Sequence, residues 1–249
     1  MKPARLTVLV RLLSLLILAL ATSSLWAGDD PPHILLDAHF DDHAVDQPIG
    51  TGGAEAGEPV TMDLLLDAIV RQDADDPDNH LLALSTTASS SRPIRFEFLE
   101  QTEISHGRLL VSVRITFPDA DFGQAVLYLR EQGTAAKQFL SMNLQNTGTI
   151  RINDAAGLAL VIPNAIPFGQ SMLIEVIHDL DWRSYDLLID GVAMLSNRSH
   201  GITDRGIGAV IFALQHQAEF DETRVLIDDL LVARWLPDMI FAHGFEGPR

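Results

Sequence analysis

The sequence predicts an all-β fold, a two-sheet antiparallel sandwich of the jelly-roll type, with room for one short helix. The first observation is alternation: between Arg108 and Phe117 every second residue is apolar and most of the residues between are polar, as expected for a half-buried strand. The second is the turn chemistry that recurs at short intervals, such as Asn146-Thr147-Gly148 and Asp190-Gly191. Many short strands separated by such turns are typical of sandwiches and jelly rolls.

The same pattern predicts roughly a dozen strands in all. The opening strand places Ile34, Leu36, Ala38 and Phe40 on one face, which we expect to be buried. Met62 to Arg71 carries a helical stripe of apolar residues, although its last four residues fit a strand equally well. The later strands are predicted, in order, at 94–98, 108–117, 140–144, 150–152, 173–178, 185–189, 207–215 and 224–234.

Residues 1–27 have the layout of a secretory signal peptide: a basic start, the apolar run Leu12 to Ala21, and a small, polar exit that ends at Ala27. The uncharged stretch is short for a membrane span. We therefore expect cleavage after Ala27 and an exported protein, periplasmic or secreted. The domain organisation predicted is a signal peptide at 1–27, one β-sandwich at 28–236 and a tail at 237–249.

The net negative charge of the chain excludes some classes of binding partner. The whole chain has a net charge of −17, and removal of residues 1–27 takes away three positive charges and no negative ones, which leaves −20. Such a protein would be repelled by nucleic acid and by anionic membrane surfaces. The chain has no cysteine, which excludes thiol catalysis and zinc–thiolate sites. We expect a monomer with no membrane span after cleavage of the signal peptide.

Three segments together resemble the concanavalin A-like (laminin-G-like) jelly roll of lectins and glucanases. They are Leu36 to Asp42 with the glycine-rich 49–53, the strand–turn–strand run Leu173 to Leu195, and the closing Arg224 to Val232. The resemblance implies an exported domain that binds carbohydrate or another cell-surface component. The tail Ile240 to Pro248 resembles an ending found on exported proteins of Gram-negative bacteria, which implies that source.

The glucanase branch of that fold carries Glu-x-Asp-x-Glu on one strand, since two carboxylates must lie on the same face for acid/base and nucleophilic chemistry. Two segments come near this motif. In the first, Glu100 falls on the opposite face from Glu97 and Glu103; in the second, Glu219 and Asp221 are followed by a threonine. The sequence also lacks a Gly-x-Ser-x-Gly elbow and a phosphate-binding loop. We therefore expect a non-catalytic binding domain, with a glycan-cleaving hydrolase or a purely structural envelope protein as the alternatives.

Two groups of acidic residues are candidate calcium sites. Asp73, Asp75 and Asp78 lie in one loop dense in oxygen ligands, and the alternative is a solvated acidic turn. By resemblance to related carbohydrate-binding modules, Asp41 or Asp42 in the opening segment would share calcium with Asp228 in the closing strand. Asp228 shares strand parity with Leu226, Leu230 and Val232, so hydrogen bonds from loop amides are the alternative way to compensate its burial.

The histidines next to these acids are weaker candidates for metal ligands. His39 points to the solvent side of its strand and His43 falls in the following turn, so they would converge on a metal only if they lay on a helix. We expect both at the surface. His178 lies on the Ile174 and Val176 side of its strand, which predicts a core histidine satisfied by hydrogen bonds.

Sugar recognition needs exposed aromatic rings and planar polar groups. Aromatic residues are sparse here, and ordinary packing or a solvated sheet face is the alternative for each candidate. The predicted ligand-binding residues are Arg114, Tyr128, Arg130, Asn143 and Trp182.

Overall fold

The computed structural model describes residues 32–99, 104–120, 123–131, 138–200, 206–218 and 220–235. Fifteen strands form two antiparallel sheets, one of eight strands (sheet A) and one of seven (sheet B). This confirms the predicted all-β jelly-roll sandwich. The described residues include a single 3-10 turn at Ala54–Ala56, and none of their helices is long and apolar enough to span a membrane.

Sheet A contains the first and the last strand of the described residues. In chain order its strands are β1 (His33–Ala38), β3 (Asp67–Gln72), β4 (His80–Thr86), β6 (Arg108–Thr116), β11 (Ser171–Asp179), β12 (Ser184–Ile189), β13 (Val192–Ser199) and β15 (Thr223–Trp235). Their spatial order is β13-β12-β11-β6-β15-β4-β3, and β1 pairs with the half of β15 that β4 leaves free.

Sheet B is built from the segments between. In chain order its strands are β2 (Thr61–Met62), β5 (Arg92–Glu97), β7 (Gln124–Arg130), β8 (Gln138–Gln145), β9 (Ile150–Asp154), β10 (Ala159–Ile162) and β14 (Ala209–Gln215). Their spatial order is β10-β9-β8-β7-β14-β5-β2. The late strand β14 therefore inserts between β7 and β5.

The core lies between the sheets and follows the alternation in the sequence. On β6, Leu109, Val111, Val113 and Ile115 are at most 1% exposed, and the residues between them face outward. Because each inward side chain packs against its counterparts from the other sheet, burial of this face is the main favourable contribution to folding.

The segment with the helical stripe, Met62 to Arg71, is not a helix. Met62 ends β2, and β3 begins at Asp67. Between them the Asp63 carboxylate accepts a hydrogen bond from the Leu65 amide at 2.9 Å, a side-chain turn that competes with helical hydrogen bonding. Leu64 is 100% exposed as a result, so the strand alternative at 68–71 was the correct one.

The glycine-rich segment after β1 wraps around one carboxylate. Glu58 accepts a 2.6 Å hydrogen bond from the Gly52 amide and lies 3.2 Å from His43 Nε2. A Cβ atom at Gly50 or Gly52 would come within 2.6 Å of the Glu58 carboxylate oxygens. A side chain at either position would therefore have to displace the flexible end of Glu58 and, at Gly52, would also come within 3.1 Å of the Ala56 Cβ.

A bulge in β15 changes the parity predicted for Asp228. The register with β6 shifts between Asp228 and Leu231, and Asp229 has a positive φ of 49°. Before the bulge Val225 and Ile227 are buried; after it Leu230 and Val232 are. The extra residue puts Asp228 on the outward side with Leu226, so the prediction that Asp228 shares a face with Leu230 and Val232 was wrong.

Candidate functional site

Three of the five predicted ligand-binding residues come together on the outward face of sheet B. Tyr128 and Arg130 alternate on β7 with the core residues Leu127 and Leu129, and Asn143 lies on the adjacent β8, opposite Val126. The other two candidates lie elsewhere. Arg114 is on the outward face of sheet A, where its Nε donates to Asp229 Oδ2 at 2.9 Å, and Trp182 is in the turn after β11.

The centre of this face is a strip of aliphatic side chains along β14, which the flanking side chains cover: Ala209, Ile211 and Ala213 are 0%, 5% and 2% exposed. Its inward residues belong to the core, whereas Ala209, Ile211 and Ala213 point outward and are aliphatic. Register places Ile211 between Arg95 on β5 and Tyr128 on β7, and Ala209 between Glu97 and Arg130. We call this strip and its four flanking residues the β14 trough: floor Ala209, Ile211 and Ala213, walls Arg95, Glu97, Tyr128 and Arg130.

The β5 wall is an ion pair that reaches over the floor. Arg95 Nε donates to Glu97 Oε1 at 2.7 Å, and a terminal nitrogen of the same guanidinium donates to the backbone oxygen of Glu131 at 3.4 Å. Glu131 follows β7, so the arginine spans β14 from one side to the other. Both side chains of the pair are largely shielded, at 14% and 16% exposure. Arg95 therefore fixes where the Glu97 carboxylate points.

The β7 wall supplies a ring and a second guanidinium. Strands two places apart in a sheet are separated by about 9.5 Å, and the register places Glu97 and Tyr128 on opposite sides of β14, two residues apart along the strand. No hydrogen bond joins the Tyr128 hydroxyl to another residue in the described part of the chain. The trough thus has a carboxylate on one wall and a phenol on the other, both able to transfer protons.

Polar side chains continue the face beyond the trough. Asn143 on β8 pairs in register with Arg151 on β9, and Arg151 is exposed. The Asn143 side-chain oxygen is buried and accepts no hydrogen bond from any described residue. A buried acceptor of this kind is costly without a donor.

Sequence reasoning missed Arg95 and Glu97 as a pair, because it tested Glu97 only as part of a three-carboxylate motif. The available signal was their i, i+2 spacing on the solvent side of the Ile94–Phe96–Phe98 alternation. Of the remaining near-motif residues, Glu100, Glu103 and Glu219 lie outside the described residues, and Asp221 is exposed in the loop before β15.

The two candidate calcium groups prove to be neighbours. The Asn79 side-chain nitrogen donates to Asp228 Oδ2 at 2.9 Å and to Asp73 Oδ2 at 3.1 Å, and the Asp41 carboxylate accepts from the His80 amide at 2.7 Å. Burial raises the pKa of Asp228 to about 6, and the nearby charges of Asp229 and Asp41 act in the same direction, against the hydrogen bonds from Asn79 and the Asp229 amide.

The other acidic candidates face solvent. Asp75 is exposed, and its amide donates to Asp73; the exposed Asp78 donates its amide to Asp76, and Asp42 is 93% exposed beside His39. Within the described ranges no three His, Cys, Asp or Glu side chains are grouped to hold a metal ion. The calcium prediction is thereby reduced to Asp41, Asp73 and Asp228, which would have to move closer together to hold the ion, with the Asn79 amide turned to present its oxygen. Calcium binding stays a prediction.

Both His39 and His43 were expected at the surface. His39 is 44% exposed and lies 3.3 Å from Asp37, but His43 is only 20% exposed, with its Nδ1 buried and its Nε2 3.2 Å from Glu58. His178 is fully buried, as expected of a core residue, but neither ring nitrogen has a hydrogen-bond partner among the described residues. The hydrogen bonds predicted for it are therefore not found.

His178 belongs to a buried polar cluster at one end of the sandwich. Its ring stacks on Tyr185 at 5.5 Å and lies 6.0 Å from the ring of His200. The Tyr185 hydroxyl donates to Asp154 Oδ2 at 3.0 Å, and Arg198 donates to the same oxygen at 3.2 Å. Burial lowers the pKa of His178 to about 3, and the proximity of His200 lowers it further.

Comparison with known proteins identifies the fold. No protein-family model and no curated protein matches the sequence. Solved structures do match in shape. A sialidase has a TM-score of 0.54 and 12% identity, and the match covers 82% of this chain and 19% of the sialidase. A carbohydrate esterase from the Shiga toxin-encoding bacteriophage phi24B has a TM-score of 0.53 and 11% identity over 82% of this chain and 99% of the esterase, and a GH131 β-glucanase catalytic domain from Podospora anserina has a TM-score of 0.52 and 8% identity over 80% of this chain and 95% of that domain. The chain thus spans about a fifth of the sialidase. These likenesses show a shared jelly-roll fold, consistent with a concanavalin A-like sandwich.

The expectation of a non-catalytic domain is contradicted by these neighbours. All three are named as enzymes, and the esterase and the glucanase domain are matched over almost their whole length. The expectation depended on one missing carboxylate motif. That motif serves only one of the chemistries that a given fold can carry, so its absence did not exclude catalysis.

Proposed function

We propose that the protein is an exported glycan-cleaving hydrolase whose active site is the β14 trough. The observation that carries the proposal is the arrangement of the two walls, with an oriented carboxylate at Glu97 and a phenol at Tyr128 on either side of the aliphatic floor. The fold shared with a glucanase domain and a carbohydrate esterase supports the same class of substrate.

The chemistry assigns opposite proton transfers to the two walls. Glu97, ion-paired with Arg95, accepts a proton from the attacking water, whose oxygen forms the new bond to the anomeric carbon. The glycosidic C–O bond breaks, and Tyr128 donates its proton to the leaving oxygen. In sialidases tyrosine replaces a carboxylate as the nucleophile, whereas the role proposed for Tyr128 is that of the acid. Arg130 and Asn143 would orient the sugar, and the Tyr128 ring offers a surface for stacking.

The test is a screen for cleavage. The mature protein, residues 28–249, is incubated with a panel of plant, algal and bacterial-surface polysaccharides, and new reducing ends are measured. On any polymer that is cut, we expect Glu97→Gln and Tyr128→Phe each to lower kcat/KM by at least about 100-fold, the usual contribution of one acid–base group. Thermal melts of both variants should match the wild type within a few degrees.

Arg114→Gln is the matched control, because this arginine lies on the outward face of the other sheet. It should leave kcat/KM unchanged. The proposal fails if no polymer is cut, or if the Glu97 and Tyr128 variants retain wild-type kcat/KM on a polymer that is.

A further inference from the structure

The turn between β11 and β12, residues 180–183, presents an aromatic ring to solvent. We call it the Trp182 turn. Trp182 is 81% exposed, and it is the only aromatic residue among the exposed large hydrophobic side chains in the part of the chain that the structure describes. Because burial of a tryptophan ring is among the largest apolar contributions that one side chain can make, a ring left in water keeps that contribution available for a ligand.

Hydrogen bonds to two aspartates hold the Trp182 turn in place. The Asp179 carboxylate accepts from the Trp182 amide at 2.9 Å, and the Leu180 amide donates to the backbone oxygen of Gly107 at 2.9 Å. The Gly107 amide donates in turn to Asp181 Oδ2 at 3.0 Å. A ring on a turn that is fixed in this way loses little conformational entropy when a ligand covers it.

Planar polar groups lie beside the ring. Arg108 Nε donates to Asp179 Oδ2 at 3.0 Å, and Asp181 Oδ1 lies 3.4 Å from His106 Nδ1. Arg108, His106 and Asp181 are all exposed. An exposed ring bordered by oriented donors and acceptors is the combination that sugar recognition needs, since a sugar has an apolar C–H face and hydroxyl groups at its edge.

The Trp182 turn lies at the same end of the sandwich as one end of the β14 trough. Ala209 begins β14, and Ile207, two residues earlier, pairs with Ile104. Gly107, three residues after Ile104, accepts the hydrogen bond from Leu180 in the turn. Three extended residues span at most about 11 Å, so a polymer that is longer than the trough can also reach the turn.

We propose that the Trp182 turn is a second carbohydrate contact, where the ring stacks on the C–H face of a sugar while the β14 trough holds the bond to be cleaved; the ligand class rests on the proposed function. The turn touches no reacting atom, so it contributes to binding and not to the chemical step. Asp179 and Asp181 are positioning residues that keep the ring in place.

Binding of oligosaccharides tests the proposal directly. The probes are cellohexaose, laminarihexaose, xylohexaose, mannohexaose and hexagalacturonate, titrated into the mature Glu97→Gln protein so that none is consumed. Calorimetry should show that at least one hexamer binds, and that adding Trp182→Ala weakens its binding about three- to tenfold, the loss expected for one stacked ring. The bound hexamer should also change the tryptophan emission, and Trp182→Ala should abolish the change, although Trp235 remains in the mature chain.

Two further sets of variants locate the contact. Leu64→Ala is the matched control, because Leu64 is fully exposed in the loop before β3, at the opposite end of the sandwich, and it should leave the affinity unchanged. Asp181→Ala removes the acceptor of the Gly107 amide and should weaken binding, whereas Asp181→Asn keeps a carbonyl acceptor and should restore most of it.

Three results would overturn the second contact. They are that no hexamer binds, that Trp182→Ala binds as tightly as its parent, or that Leu64→Ala is as harmful as Trp182→Ala. Self-association of the wild type in sedimentation that Trp182→Ala abolishes would overturn it as well, because the ring would then be covered by a second copy of the chain.

Kinetics separate this proposal from the proposed function. On a polymer that is cleaved, Trp182→Ala should raise KM about three- to tenfold and leave kcat unchanged. Cleavage that depends on Glu97 but not on Trp182 would refute the second contact and leave the hydrolase standing. Binding of a hexamer that depends on Trp182, with no cleavage of any polymer, would do the reverse.

Discussion

At the scale of single residues, His178 shows that alternation along a strand predicts whether a side chain is buried but not what surrounds it. Parity placed its side chain in the core, and it is fully buried there. Parity gives no information on hydrogen bonds, because those depend on which residues other strands bring near. The neighbours turn out to be the rings of Tyr185, Phe139 and His200, so the imidazole is held neutral in a largely aromatic site.

This burial makes stability depend on pH. The pKa of His178 lies near 6.5 in the unfolded chain and is lowered to about 3 in the fold, so below pH 6.5 the unfolded state binds the extra proton. Stability is therefore complete above this pH and falls as the pH drops toward 3. Between pH 7.5 and 5 the loss from this one residue should be about 2 kcal/mol.

Urea unfolding at the two pH values tests this. His178→Phe should remove about 2 kcal/mol of the pH-dependent loss, while His33→Phe, at an exposed position in β1, should not change it. Equal pH dependence in wild type and His178→Phe would show that the buried imidazole is not its source.

At the scale of elements, the regular strands were predictable and the interruptions were not. Alternation located β6, β11, β12 and β15 within a few residues, since one buried face imposes a period of two. The β15 bulge and the turn at Asp63 break that period through a single backbone conformation or a single side-chain hydrogen bond. Such local events leave no periodic trace in the sequence, and the wrong face predicted for Asp228 follows from one of them.

The hydrogen bonds that join Asp228 and Asp73 through the Asn79 side chain make the calcium prediction testable at one residue, Asp228. Because the pKa of Asp228 is raised to about 6 in the fold and lies near 3.9 in the unfolded chain, its burial destabilises the fold fully above pH 6, and this penalty declines as the pH falls from about 6 to about 4. In calcium-free buffer at pH 8, Asp228→Asn should therefore raise the melting temperature.

With calcium present, the wild type should have a higher melting temperature than Asp228→Asn. At ~1 mM calcium and a ~10 μM site, binding adds about 2.7 kcal/mol, or roughly 5 to 10 °C of melting temperature, to the wild type and not to Asp228→Asn. Asp75→Asn, in the exposed turn, is the control and should behave as wild type. A wild-type melt that excess chelator leaves unchanged would refute the calcium site.

At the scale of the whole molecule, the candidate site depends on topology. Glu97 and Arg130 are brought to one trough because β14, from near the end of the chain, inserts between β5 and β7. Tyr128, Arg130 and Asn143 could be placed on outward faces from alternation alone. Their meeting with Arg95 and Glu97 could not be predicted, since strand order in a sheet is set by long-range packing.

Export is a property of the whole chain and remains a proposal. Expressed with its first 27 residues in a Gram-negative host, the protein should be recovered from the periplasm or medium with Gly28 as its first residue, because the apolar run is long enough for a signal sequence and short for a span. Mass spectrometry of the purified protein checks this. An intact N-terminus in the cell interior would contradict it.

The most direct test of the central claim is a crystal structure of the mature Glu97→Gln variant with an oligosaccharide of whichever polymer the wild type cleaves. We expect one sugar ring over Ala209, Ile211 and Ala213, with its glycosidic oxygen within hydrogen-bonding distance of the Tyr128 hydroxyl. Sugar bound on sheet A or at the Trp182 turn, with the β14 trough empty, would contradict the account.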